Sequence, residues 1–183
     1  MKKNTRRITW WVIIFLYVVF IYATLGIAPG VWDKLNDLSG GRNNLVLYII
    51  YSLVIASLFY YVIFVKKERA ALKYLMLVLA AGIFLMILKQ TQSKSEKIHL
   101  CEYGLLGVML YNALKIEFNR VDLKLYVCAA FICAAIGAVD EGIQWVLPNR
   151  VFDWRDIFMN AVSGALPLAV IRVNVLRRHE SQI

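Results

Sequence analysis

The chain has 183 residues, 61% of them hydrophobic, and a formal charge of +9. That apolar share exceeds the roughly 45–50% of soluble domains, and it comes in long unbroken blocks, which excludes an ordinary soluble domain and points to membrane spans. The excess of 21 Lys and Arg over 12 Asp and Glu lies mostly beside those blocks. It is therefore a topology signal and not the mark of a nucleic-acid partner.

Met1 to Arg7 is a basic cap, and residues 8–28 follow without a charge. The run is longer than a signal-peptide h-region and no small-x-small site follows it, so an uncleaved first span is expected. Pro29 to Asn44 is a polar connection in which Val31, Trp32, Leu35 and Leu38 share one helical face. That pattern suits a short interfacial helix anchored by Trp32; the alternative is a lid over the polar residues described below. Residues 45–65 form a second charge-free run, Lys66, Lys67 and Arg69 a basic turn, and residues 70–88 a third run, with Lys73 placed to snorkel. After a polar loop at 90–97, a fourth run at about 98–114 opens with IHLCEYG. The fifth is about 123–147 and the sixth about 154–175.

Cys101, Cys128 and Cys133 lie inside apolar blocks without metal-ligand spacing and read as small packing residues. Continuous apolar blocks argue against a β-barrel, whose strands alternate. The expected fold is all-α: a polytopic integral membrane helical bundle of about six transmembrane helices, a single membrane domain over residues 1–183.

Fourteen of the 21 Lys and Arg residues fall on the side of the N-terminus when the six runs alternate. The positive-inside rule then puts both termini in the cytoplasm, an N-in, C-in topology. Three polar groups thereby meet at the outer level: His99 and Glu102; Asp140, Glu141 and Gln144; and Arg150, Asp153, Asp156 and Asn160. Steps of three and four stack His99 with Glu102 and Tyr103, Asp140 with Gln144, and Asp153 with Asp156 and Asn160 on helix faces.

The stretch DEGIQWVLPNRVFDWRDIFMN, residues 140–160, is the centre of this arrangement. Ionisable groups set into apolar helices are costly and usually face a protein interior or a wet cavity. Asp140, Glu141, His99 and Glu102 are the candidate catalytic residues, since buried carboxyls suit proton transfer near neutral pH; the alternative is a set of ties to Arg150, Arg155 or His99 that hold helices together. Arg150, Gln144, Asp153, Asp156, Asn160 and Tyr103 are the candidate substrate-binding residues, with Arg150 as the clamp for a phosphate or carboxylate. Arg155 reads equally as an interfacial anchor. Gly104, Gly107, Gly137, Gly142 and Gly164 fit close helix packing, and Pro167 is expected to kink the last span. No metal and no cofactor are assigned: one histidine among carboxylates is weak for zinc, although carboxylates and Asn would suit Mg²⁺, Mn²⁺ or Ca²⁺. Serine-elbow, Walker, dinucleotide and C-x-x-C motifs are absent from the sequence.

Taken together, IHLCEYGLLGVMLYNAL and DEGIQWVLPNRVFDWRDIFMNAVSGALP resemble the VanZ-like family of bacterial membrane proteins. The resemblance runs through His99, Glu102, Tyr103, Asp140, Glu141, Gln144, Pro148, Arg150, Asp153, Asp156, Asn160 and Gly164, over a core of about residues 89–168. Three further apolar runs (8–28, 45–65, 70–88) precede it. The family turn Pro-Gly-Arg is Pro-Asn-Arg at 148–150 here. The founding member is associated with low-level resistance to the glycopeptide teicoplanin, so the resemblance implies a multi-pass protein of the bacterial inner membrane in a cell-envelope setting. It implies no reaction. The leading expectation is a protein that binds an anionic lipid or lipid-linked cell-wall component at the outer leaflet and, in the stronger form, modifies it. Its partners would be membrane lipids, a lipid-linked intermediate or a glycopeptide, with no nucleic acid. Two alternatives stand beside it: a non-enzymatic membrane accessory protein and a small proton-coupled transporter.

Overall fold

A computed structural model describes residues 2–38, 40, 43–60, 63–64, 71–91, 94–147 and 152–180. Among them the chain is all-helical: α1 (Lys2–Thr24), α2 (Ala28–Leu38), α3 (Asn43–Tyr60), α4 (Ala71–Gln90), α5 (Lys94–Phe118), α6 (Leu123–Val146) and α7 (Trp154–Glu180). Two stretches among the described residues, Asn4–Thr24 and Leu123–Val146, are long and apolar enough to cross a membrane, and Tyr74–Gln90 is a shorter apolar helix. The charges carried by α5 and α7 keep those helices from standing out in the same way.

The first helix stops earlier than the charge-free run 8–28 suggests. Thr24 Oγ1 donates to the carbonyls of Ile21 (2.8 Å) and Phe20 (3.0 Å), and Gly26 and Pro29 follow, so the helical ladder gives way to a turn. Ile27 N–H donates to Thr24 O at 3.1 Å, and the chain enters α2. Val31, Leu35 and Leu38 on α2 are exposed. The apolar face expected of an interfacial helix is thus turned away from the protein, while α2 also rests against α5.

The core is a three-helix unit, α5, α6 and α7, with α1 laid against α5 and α6 and α4 against α7. Its turns are specified locally. After α5, Asn119 takes φ 49°, a left-handed conformation that Asn tolerates at a helix end. Asp122 then caps α6, its Oδ1 accepting from Leu125 N–H at 2.9 Å. Two glycines set how closely α5 and α7 cross. A Cβ added to Gly107 would meet the backbone of Gly164: its carbonyl oxygen, its C at 3.0 Å and its Cα at 3.1 Å. A Cβ on Gly164 would strike Cys133 Sγ, with Cys133 Cβ at 3.2 Å and Tyr103 O at 3.4 Å. Gly137 is nearly as tight, facing Asn160 Cβ at 3.2 Å, whereas Gly104 meets Ser163 O at an ordinary 3.5 Å. Gly142 departs from the expectation: it has nothing within 4 Å because it faces outward, so it plays no part in this crossing. Pro167 lies inside α7, and the helix continues past it to Glu180.

Cross-helix contacts show how the elements are arranged along the bundle. Tyr17 OH donates to Glu102 O at 3.3 Å, while Trp11 and Arg7 reach Glu117, so α1 runs antiparallel to α5. Tyr51 OH donates to Lys97 O at 2.7 Å, and Thr91 Oγ1 lies 3.9 Å from Met159 Sδ. One end of the bundle therefore gathers the end of α1, the middle of α3, the end of α4, the start of α5, the end of α6 and the start of α7. The start of α1 and the end of α7 lie at the other.

Candidate functional site

The polar residues collect at the first of these ends. Asp140 and Glu141 are 0% and 1% exposed, both carried by the last two turns of α6. Tyr103, one turn beyond His99 on α5, donates its hydroxyl to Asp140 Oδ2 at 2.9 Å. His99 is buried, and its Nδ1 lies 2.7 Å from Glu102 Oε2, the geometry of a ring N–H donating to a carboxylate. Glu141 accepts from Gln144 Nε2 at 3.1 Å through Oε1. Its Oε2 accepts from the backbone N–H of Asp153 at 3.3 Å, which ties the end of α6 to the start of α7.

A small cavity of about 10 Å³ lies among His99, Glu141, Gln144, Asp156, Met159 and Asn160. It draws on α5, α6 and α7, so five of the candidate residues read from the sequence line one shared space. A cavity of that size holds about one water molecule or one hydroxyl; a lipid headgroup does not fit inside it.

The remaining candidates divide. Asp140 does not line this cavity; adjacent helical residues point about 100° apart, and Asp140 turns to Tyr103 while Glu141 turns to α7. Asp153 is half-buried and caps α7, its Oδ1 accepting from Arg155 N–H at 2.8 Å. The Arg155 guanidinium lies 3.6 Å from Asp153 Oδ2, and both side chains are about half exposed, so this arginine is not the tie to Asp140 or Glu141 that the sequence left open. Arg150, with the rest of the Pro148–Arg150 turn, lies outside the described residues.

The family model described as VanZ/LLP1 matches residues 10–176, nearly the whole chain. The chain belongs to the VanZ/LLP1 family. No curated protein and no solved structure matches it. The family match takes in α1, α3 and α4 as well as the helices that carry the polar motifs. In this VanZ/LLP1 chain α1 does more than precede the site: Tyr17 and Tyr22 bond to the carbonyls of Glu102 and Ile136, the latter at 2.9 Å, bracing the helices that present the cluster. Neither tyrosine carries a sequence signal that separates it from other aromatics of a span. Ser163, buried on α7, continues the 153–156–160 step by three and shares that face.

Proposed function

We propose that this VanZ/LLP1 chain is a multi-pass protein of the bacterial plasma membrane, with both termini cytoplasmic. Its outward polar cluster binds an anionic lipid or lipid-linked cell-wall component and transfers a proton to or from it. The membrane part is supported by the large apolar side chains exposed on α1, α6 and α7, Phe15, Leu16, Phe131, Val139 and Phe158 among them, which suit helices that face lipid. Helices that alternate in direction, with the polar end opposite the basic first turn, support the orientation.

The observation that carries the site is the burial of Glu141 beside a cavity that admits one small oxygen group. In this reading a water or one hydroxyl of the ligand sits against Glu141, which takes its proton. His99, Glu102 and Asp156 complete the pocket, and Asp140 is held ready by Tyr103. The rest of the headgroup stays outside the cavity, with its anion on Arg150, the clamp expected from the sequence. Glu141→Gln tests this, because it keeps the size of the side chain and removes its basicity. Loss of envelope-lipid modification and of any effect on glycopeptide susceptibility, in a variant that folds and expresses normally, is the expected result.

One set of contacts favours a second reading, a non-enzymatic accessory protein. The bonds from Tyr103 to Asp140 and from Asp153 N–H to Glu141 tie helices together, as a purely structural cluster would. That reading expects Glu141→Gln to be tolerated and substitutions at Gly107 or Gly164 not to be.

A further inference from the structure

At the end of the bundle away from the polar cluster, α1 and α5 leave a groove of about 630 Å³ between them, within the roughly 300–1,000 Å³ of small-molecule sites. Trp11, Phe15, Leu114 and Phe118 give it apolar walls. Arg7 and Glu117 line the same groove, with Arg7 Nε 2.9 Å from Glu117 Oε2. Trp11 Nε1–H donates to that carboxylate oxygen at 3.3 Å. The arginine side chain is 48% exposed and the glutamate 25%, so both signs face a ligand. Phe15 lies two turns further along α1, about 12 Å deeper.

A groove with an ion pair at one end and apolar walls beyond matches a lipid whose headgroup carries both charges. We infer that it binds one phospholipid of the ethanolamine type: phosphate on Arg7, primary ammonium on Glu117, and an acyl chain along Trp11 and Phe15. This rests on the membrane reading above. A purely anionic headgroup has nothing to offer Glu117, and a choline headgroup has the positive charge but no N–H to donate. Arg120, also at this end, lies over the Phe118 ring at 5.3 Å and is paired with Asp122 at 3.3 Å, so it brings no unbalanced charge. Lys2, Lys3 and Arg6 attract anionic lipid to the whole leaflet, but the pair in the groove is balanced.

The test uses the full chain in bilayers of equal parts phosphatidylethanolamine, phosphatidylglycerol and phosphatidylcholine, released in mild detergent and weighed by native mass spectrometry. One retained phosphatidylethanolamine, in about three-fold excess over either other lipid, is expected, the size of a partly exposed charge contact. Glu117→Gln removes the excess. Val12→Trp, which fills the groove and leaves the ion pair in place, removes the bound lipid itself and carries the test if Glu117→Gln is unstable. Equal retention of the three lipids, an excess of phosphatidylglycerol, or an undiminished excess in both variants overturns the inference. A chain that does not enter the bilayers at all overturns the membrane reading, and this inference with it.

Discussion

Gly107→Ala is the most direct probe of the helix crossing on which the site depends. The added methyl meets the carbonyl oxygen, carbonyl carbon and Cα of Gly164. These are backbone atoms within a helix, which no rotamer change can move, so α5 and α7 must separate. Overpacking in a close-packed core costs about 1–3 kcal/mol, and a clash with backbone belongs at the upper end. Alanine regains about 0.8–1.0 kcal/mol of helix propensity over glycine, leaving about 2 kcal/mol of net destabilisation. For a chain of this length that lowers the melting temperature by about 4–8 °C. Gly142→Ala is the matched control: with nothing within 4 Å, it keeps only the propensity gain and melts no lower than wild type. Gly164→Ala clashes mainly with the Cys133 side chain, so adding Cys133→Ala restores part of its loss, while the same addition does nothing for Gly107→Ala. Tryptophan-fluorescence melting of the detergent-purified variants reads all of these. Equal melting temperatures for Gly107→Ala and Gly142→Ala would refute the crossing geometry.

Further outcomes follow from single contacts. Tyr103→Phe removes the hydroxyl that bonds Asp140 Oδ2 and leaves a buried carboxyl oxygen without that partner, lowering stability by about 1–3 kcal/mol; Asp140→Asn on top of it recovers part of the loss, measured as a double-mutant cycle in melting temperature. Asp153→Ala removes the cap of α7 and costs about 0.5–2 kcal/mol, whereas Asp153→Asn keeps the accepting oxygen and stays within a few tenths of wild type. Asn119→Gly relaxes a φ of 49° and is neutral or slightly stabilising, whereas Asn119→Val destabilises by about 1–2 kcal/mol, so of the two the valine variant alone should lower the melting temperature. Proteoliposomes should show no proton flux above empty vesicles. Between the polar end and the buried Tyr111–Tyr126 pair, whose hydroxyls are 3.3 Å apart, lies a layer of Leu106, Leu110, Ala129, Cys133 and Leu168 that, among the described residues, offers no polar path.

The sequence made the site legible because its residues are out of place. His99, Glu102, Asp140, Glu141 and Gln144 stand in otherwise apolar helices, and steps of three and four assign them to faces without any tertiary knowledge. The same logic failed wherever residue type does not encode direction. Gly107 and Gly142 are both glycines in apolar helices, yet one is pressed on backbone and the other faces outward; only the crossing itself separates them. Tyr17 and Tyr22 look like any aromatics of a span until α5 and α6 are laid beside them. The most instructive case is Asp140 beside Glu141. Read along the chain they form one acidic pair, but neighbouring positions on a helix diverge by about 100°, and the bundle sends the first to a tyrosine of α5 and the second to the cavity and the start of α7. Under the proposed function Glu141 meets the ligand while Asp140 braces the helix bearing it, and the two roles make different demands. Substitution at Glu141 should therefore reach function first, and substitution at Asp140 should reach stability first.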